Sequence, residues 1–228
     1  MLKRKSNLLL IIFICLLLVT GCTNKDNDST KFKKEFESFN DIYSVNISDN
    51  NHFKISSAEE ILSMISNNQS FVVLFGSSSD YYTRTIIESL ESSASNLGLA
   101  KIYYVDIESI RDEYSIDDNN VVTKTKESTS EYNELVVLLN KYLKDYTVLN
   151  KDNKEVSVGV KKINIPLVVG VIKSNVSSAV TGISSLQTSD MKSLSDEIKT
   201  DQINIMHDTI NEVVVDLSTC DINNNSGC

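Results

Sequence analysis

The chain has 228 residues, with 31 acidic against 22 basic side chains, a net charge of −9 and 41% hydrophobic residues. So acidic a surface repels phosphate backbones and anionic head groups, which argues against a nucleic-acid partner. The length and the supply of Val, Ile and Leu suffice for one well-buried core, and no internal repeat or low-complexity block divides the chain.

Lys3, Arg4 and Lys5 open the chain with positive charge, and an unbroken apolar run follows from Leu8 to Val19. That is the length of a signal-peptide core and too short to span a bilayer. The run ends in Val19-Thr20-Gly21-Cys22, which resembles the lipobox of bacterial lipoproteins. The resemblance implies a leader of residues 1–21, lipid on Cys22 as the new N-terminus, and anchorage on the extracytoplasmic face of a cell membrane. Loss of the leader's three positive charges would take the net charge from −9 to −12. Thr23 to Thr30 contains no apolar residue and reads as a flexible tether within an N-terminal segment spanning 22–50.

Of the four cysteines, Cys15 belongs to the leader and Cys22 to the lipobox, which leaves Cys220 and Cys228. An extracytoplasmic compartment favours a disulfide between them that closes a tail of residues 220–228. Free thiols and a working redox pair are the other readings, the last least suited because the spacing is far from CxxC.

Phe53-Lys54-Ile55 reads as a short strand, and Ser57 with Glu60 as the capping box of a helix carrying Ile61, Leu62 and Ile65. Phe71 to Phe75 is a continuous apolar run, as expected of a central strand covered on both faces. A helix is expected from about Tyr81 to Leu97, stopped by Gly98, and then a strand from Ile102 to Ile107. Strands alternating with helices imply parallel pairing. Residues 109–130 are polar and charged, and Glu131 to Leu143 reads as helical; together, over about 109–150, they form an insertion. Leu167 to Ile172 and Ala179 to Thr181, joined by a tight turn, must be antiparallel neighbours. A last helix runs from about Asp201 to Leu217. The fold class is α/β, with one domain over about 51–219.

In this order the chain resembles the thioredoxin fold, in which an apolar strand, a loop with CxxC at a helix start, a further strand and a cis-proline precede an antiparallel hairpin. Envelope proteins of that family read roughly Phe-Gly-Ser-Ser-Thr-Cys-Pro-Tyr-Cys-Arg in the loop. Here the loop is Phe75-Gly76-Ser77-Ser78-Ser79-Asp80-Tyr81-Tyr82-Thr83-Arg84, so Asp80 and Thr83 stand where the cysteines would. The resemblance implies a central mixed sheet flanked by helices. It also implies a cis bond at Pro166, the only proline, and a groove for extended polypeptide formed by Asp80, Tyr81, Tyr82, Thr83, Ile165 and Pro166. A trans proline at a strand start is the plain alternative.

Neither a carboxylate nor a threonine hydroxyl forms a mixed disulfide, so this loop is expected to be redox-inactive. Asp80 reads first as a helix cap; Tyr81 and Tyr82 fit either binding or packing. His52 and His207 belong to no metal-ligand pattern. Gly76-Ser77-Ser78 lacks the second glycine of a nucleophile elbow. Asp221, Asn223 and Asn225 begin like a calcium loop, but the glycine is one place late and the closing Glu is missing. No cofactor is expected. The expectation is a membrane-anchored binding or accessory module for envelope or secreted proteins. An oxidoreductase using Cys220 and Cys228, and a structural envelope component, are the alternatives.

Overall fold

The computed structural model describes residues 28–37, 45–181 and 196–223; Cys22 and Cys228 lie outside them. The first element is helix α1, Asp28–Glu37. Phe32 and Phe36 sit four residues apart on one helix face and are both fully buried. Phe32 stacks on Phe53 with ring centroids 4.2 Å apart, and both helix aromatics meet Tyr104 edge-on. The stretch expected to be tether as far as Thr30 therefore ends sooner, since Asp28–Thr30 form the first turn of this helix. Two aromatic anchors outweigh the polar composition that precedes them.

Strand β1 (Phe53–Ile55) leads into α2 (Ala58–Ser66), where Ser57 accepts the expected cap bond from the Glu60 N–H at 3.1 Å. The Glu60 carboxylate turns to Lys54 and the Ser56 hydroxyl, where the sequence suggested a capping box. Strand β2 (Phe71–Gly76) is buried along its whole length, as its unbroken apolar run requires. Helix α3 (Tyr81–Leu97) ends at Gly98, whose φ of 72° lets its N–H reach back to the carbonyls of Ala94 and Ser95. Strand β3 (Ile102–Asp106) follows.

Beyond β3 the chain departs from the expected polar insertion and single helix. Glu113–Ile116 (β4) and Val122–Lys126 (β5) form one hairpin, and Lys144–Leu149 (β6) and Glu155–Lys162 (β7) another. Between them α4 spans Ser130–Leu139, capped by Thr129, and tightens into a 3₁₀ turn at Asn140–Tyr142. The hairpins touch through Tyr114 and Tyr146 (5.2 Å, edge-on), and Asn150 Nδ2 donates to Asn120 Oδ1 at 2.9 Å near their tips. Strands β8 (Leu167–Ile172) and β9 (Asn175–Thr181) come next, then α5 (Asp196–Asn223).

The fold is mixed α/β. Its sheet runs in the order β1-β3-β2-β8-β9; β1, β3 and β2 are parallel, and β8 and β9 each antiparallel to the neighbour before. Residues alternate across it. Val72, Leu74, Tyr104 and Val168 meet α1, α3 and α5 on one face, while Phe71, Val73, Val105 and Val169 meet α2 and α4 on the other. Among the described residues no helix is long and apolar enough to cross a membrane.

Candidate functional site

The pairing register gathers three chain segments at one edge of the sheet. Gly76 lies opposite Asp106, Phe75 opposite Leu167, and Leu167 opposite Thr181. Residues 77–80, 107–112 and 163–166 therefore leave or enter the sheet side by side. The loop of residues 77–80 aims the N-terminus of α3 into this edge.

That helix start is closed by its own side chains. Asp80 Oδ2 accepts from the Thr83 N–H at 2.6 Å and from the Thr83 hydroxyl at 2.7 Å, as an N-cap residue should. The Thr83 oxygen in turn accepts from the Ser77 N–H at 3.3 Å, and Thr83 is fully buried. Gly76 makes room for it: a Cβ at position 76 would stand 2.5 Å from Thr83 Cγ2. Burial pushes the Asp80 carboxyl above the usual aspartate range, against the two Thr83 bonds that favour its charge.

Glu108 supports the loop from below. Its Oε2 accepts from the hydroxyls of Ser77 (2.8 Å) and Ser79 (2.7 Å). Burial opposes its charge, yet these bonds and the cations of Arg111 and Lys126 hold it below the usual glutamate range. Arg84 is buried and Nη1 donates to the carbonyls of Phe36 (2.9 Å) and Ser78 (3.0 Å), which fastens α1 to the loop. Burial raises Glu35, with the Asp106 charge adding to it, and burial likewise raises Asp106.

Of the residues singled out in the sequence, Asp80 and Thr83 are thus bonded to each other. Tyr81 and Tyr82 are half-buried and pack against the α1-α3-α5 core, edge to face with one another. The Ile165-Pro166 peptide is cis, Pro166 is buried, and Ile165 packs against the α2-α4 core. Cys220 falls in α5; its pairing with Cys228 lies outside the described residues. His52 is at the opposite edge, its carbonyl bonded to the Ile102 N–H and its Nδ1 2.8 Å from Glu91 Oε1, and His207 lies on α5 beside Asp208. Among the described residues no group of His, Cys, Asp or Glu is arranged to hold a metal ion.

Sequence reasoning missed Glu108, Arg84 and Arg111. Glu108 bonds to serines some thirty positions earlier, and only the fold brings them together. Arg84 stood in the quoted loop, but an arginine in a helix's first turn reads as surface until its burial is known.

What the edge can do chemically is narrow. From residue 23 to 219 the sequence has no cysteine, so residues 77–80, 107–112 and 163–166 contribute no thiol to this edge. The carboxylates of Asp80 and Glu108 are engaged with the loop's own donors. The arrangement builds a helix start closed by its own side chains. The chain matches no protein-family model and no curated protein.

Proposed function

We propose that the chain is a lipid-anchored extracytoplasmic lipoprotein whose domain is a thioredoxin-like scaffold without redox chemistry, acting as a binding or accessory module for extended polypeptide. The observation that carries this reading is the pair Asp80 and Thr83. They stand three residues apart at the start of α3, in the places where that family keeps its thiols, and are hydrogen-bonded to each other. The strand order β1-β3-β2-β8-β9 agrees with that scaffold. So does the place of Pro166, one residue ahead of β8 and on the loop's edge.

A carboxylate and a hydroxyl exchange no disulfide, so what such a scaffold retains is its binding surface. Backbone pairing with an extended chain supplies affinity without any reacting group. In this reading the backbone at Ile165 and Pro166 lines one side of the groove and Asp80, Tyr81 and Tyr82 the other, with Thr83 buried beneath them. The anchor rests on Val19 to Cys22.

The test uses the full-length chain in its native membrane with a photo-crosslinking benzoylphenylalanine at Tyr82, and in a second strain at Val137, which is 77% exposed on α4. Cross-links to other polypeptides from position 82 and few from 137 are expected; equal labelling from both would overturn the groove. In the same strains Cys22→Ser should leave the protein unprocessed or release it, and unchanged membrane retention would overturn the anchor. Insulin reduction should run no faster with the purified chain than with dithiothreitol alone.

A further inference from the structure

Positive charge in this acidic protein is concentrated beside the candidate site. Residues 109–162 hold nine of the 22 basic side chains and ten of the 31 acidic ones, so the hairpin lobe is near neutral while the rest is strongly acidic. At the base of the β6-β7 hairpin Lys144 and Lys162 are direct cross-strand partners. Residues opposite one another point to the same face about 5 Å apart, and like charges there repel. Lys162 is half-buried, with Nζ 4.1 Å above the Tyr146 ring, and Arg111, which pairs with Glu108 at 3.6 Å, adds a third cation whose charge is already partly met. Asp112 and Glu155 act against this charge, yet among the described residues neither Lys144 nor Lys162 has a carboxylate within ion-pair distance. Elsewhere on the lobe Lys124 and Lys126 do have such partners.

The position of this cluster matters as much as its charge. Lys162 is four residues ahead of Pro166, and Arg111 follows Glu108, so both lie on the edge that carries the Asp80 loop. The N-terminal segment enters at the other end of the sheet, where Asp28 Oδ2 is 3.7 Å from Lys101, next to the first residue of β3. Five residues lie between Cys22 and Asp28, so an anchored chain would keep the Lys101 end within about 20 Å of its membrane.

We propose that Lys144 and Lys162, with Arg111 beside them, form the docking surface for an acidic segment of the polypeptide partner. The proposal rests on the polypeptide-binding reading above and adds the partner's charge. An incoming Glu or Asp would relieve the Lys144–Lys162 repulsion, while the buried Tyr146 ring holds Lys162 in place beneath it.

The probes are short fluorescent peptides alternating Glu with Ala, Gln with Ala and Lys with Ala, titrated by anisotropy against the full-length chain in neutral detergent. The Glu peptide should bind and weaken with salt, and the other two should not. Lys144→Glu with Lys162→Glu should weaken it about tenfold, and the milder Lys144→Gln with Lys162→Gln less. Lys151→Glu with Lys154→Glu, the same charge change at the far turn, should leave it unchanged. Equal losses from both pairs of sites, or no binding of the Glu peptide, would overturn the proposal. So would preference for vesicles of phosphatidylglycerol over the peptide, which would make the surface a lipid site. If the Gln peptide binds equally well while position 82 still cross-links to polypeptides, the groove stands and the charge assignment fails. If the Glu peptide binds but position 82 labels nothing, the cationic surface acts apart from the groove and the added claim of a shared site fails.

Discussion

Gly76 and Thr83 are coupled by space rather than by a bond. Ala at position 76 would press its methyl group into Thr83 Cγ2, and overpacking of this kind destabilises by about 1–3 kcal/mol. Thr83→Ser removes that methyl and keeps the hydroxyl that Asp80 and Ser77 use. In a chain already carrying Thr83→Ser, Gly76→Ala should therefore be better tolerated, with a coupling of about 1 kcal/mol in urea denaturation of the four proteins; strict additivity would contradict the packing described. Asp106 offers a second residue-scale test. Burial raises its pKa, while Oδ1 accepts from the Glu108 N–H at 2.9 Å. A carboxyl whose pKa is higher folded than unfolded contributes stability below the unfolded value, and that contribution is lost as pH rises through the folded value. Asp106→Asn keeps the acceptor without the charge, so its melting temperature should rise relative to the wild type as pH rises above the ordinary aspartate value of 3.8. A gap that does not change with pH would show that the charge is not the cause.

At the scale of elements, α1 is part of the core it precedes. Phe32→Ala removes a fully buried ring that contacts Phe36, Phe53 and Tyr104. A loss of about 3–5 kcal/mol is expected on thermal or urea unfolding, as for other buried aromatics; a loss under about 1 kcal/mol would return this segment to the role of a tether. The sequence hid α1 because the apolar-free stretch from Thr23 to Thr30 runs into its first turn, and its buried face has only two apolar residues, Phe32 and Phe36, beside Ser29. The central strands and α3 were legible because their signals are local: an unbroken apolar run, an Asp cap, a Gly stop. The hairpins were not. Val156, Val158 and Val160 do alternate as a strand should, but β7 is flanked by the Asn150–Lys154 turn and by paired lysines, and its strand neighbour pairs only with it, outside the main sheet. Helix α4 also stops at Leu139 although its apolar pattern runs on to Leu143. Asn140–Tyr142 tighten into a 3₁₀ turn, and the Tyr142 hydroxyl donates to the Val176 carbonyl at 3.2 Å, which holds the chain for its turn into β6.

At the scale of the molecule, the sheet places its functional candidates at one edge and the entry of its N-terminal segment at the other, and the two faces keep separate cores. The loop's capping was the most legible part of the site, since an Asp ahead of a helix start signals its role without any knowledge of packing. Its supports were illegible because Glu108 and Lys126 reach it from later parts of the chain and the burial of Arg84 shows only in the fold. The central claim, a thioredoxin-like scaffold with Asp80 and Thr83 in the thiol positions, is tested most directly by restoring the thiols. In a chain with Cys220→Ser and Cys228→Ser, Asp80→Cys together with Thr83→Cys should close an internal disulfide in air, seen as a two-hydrogen mass loss in the peptide that spans the loop. The variant should also gain insulin reduction that the wild type lacks. Two thiols that stay free, or a disulfide that forms without any gain of activity, would contradict it.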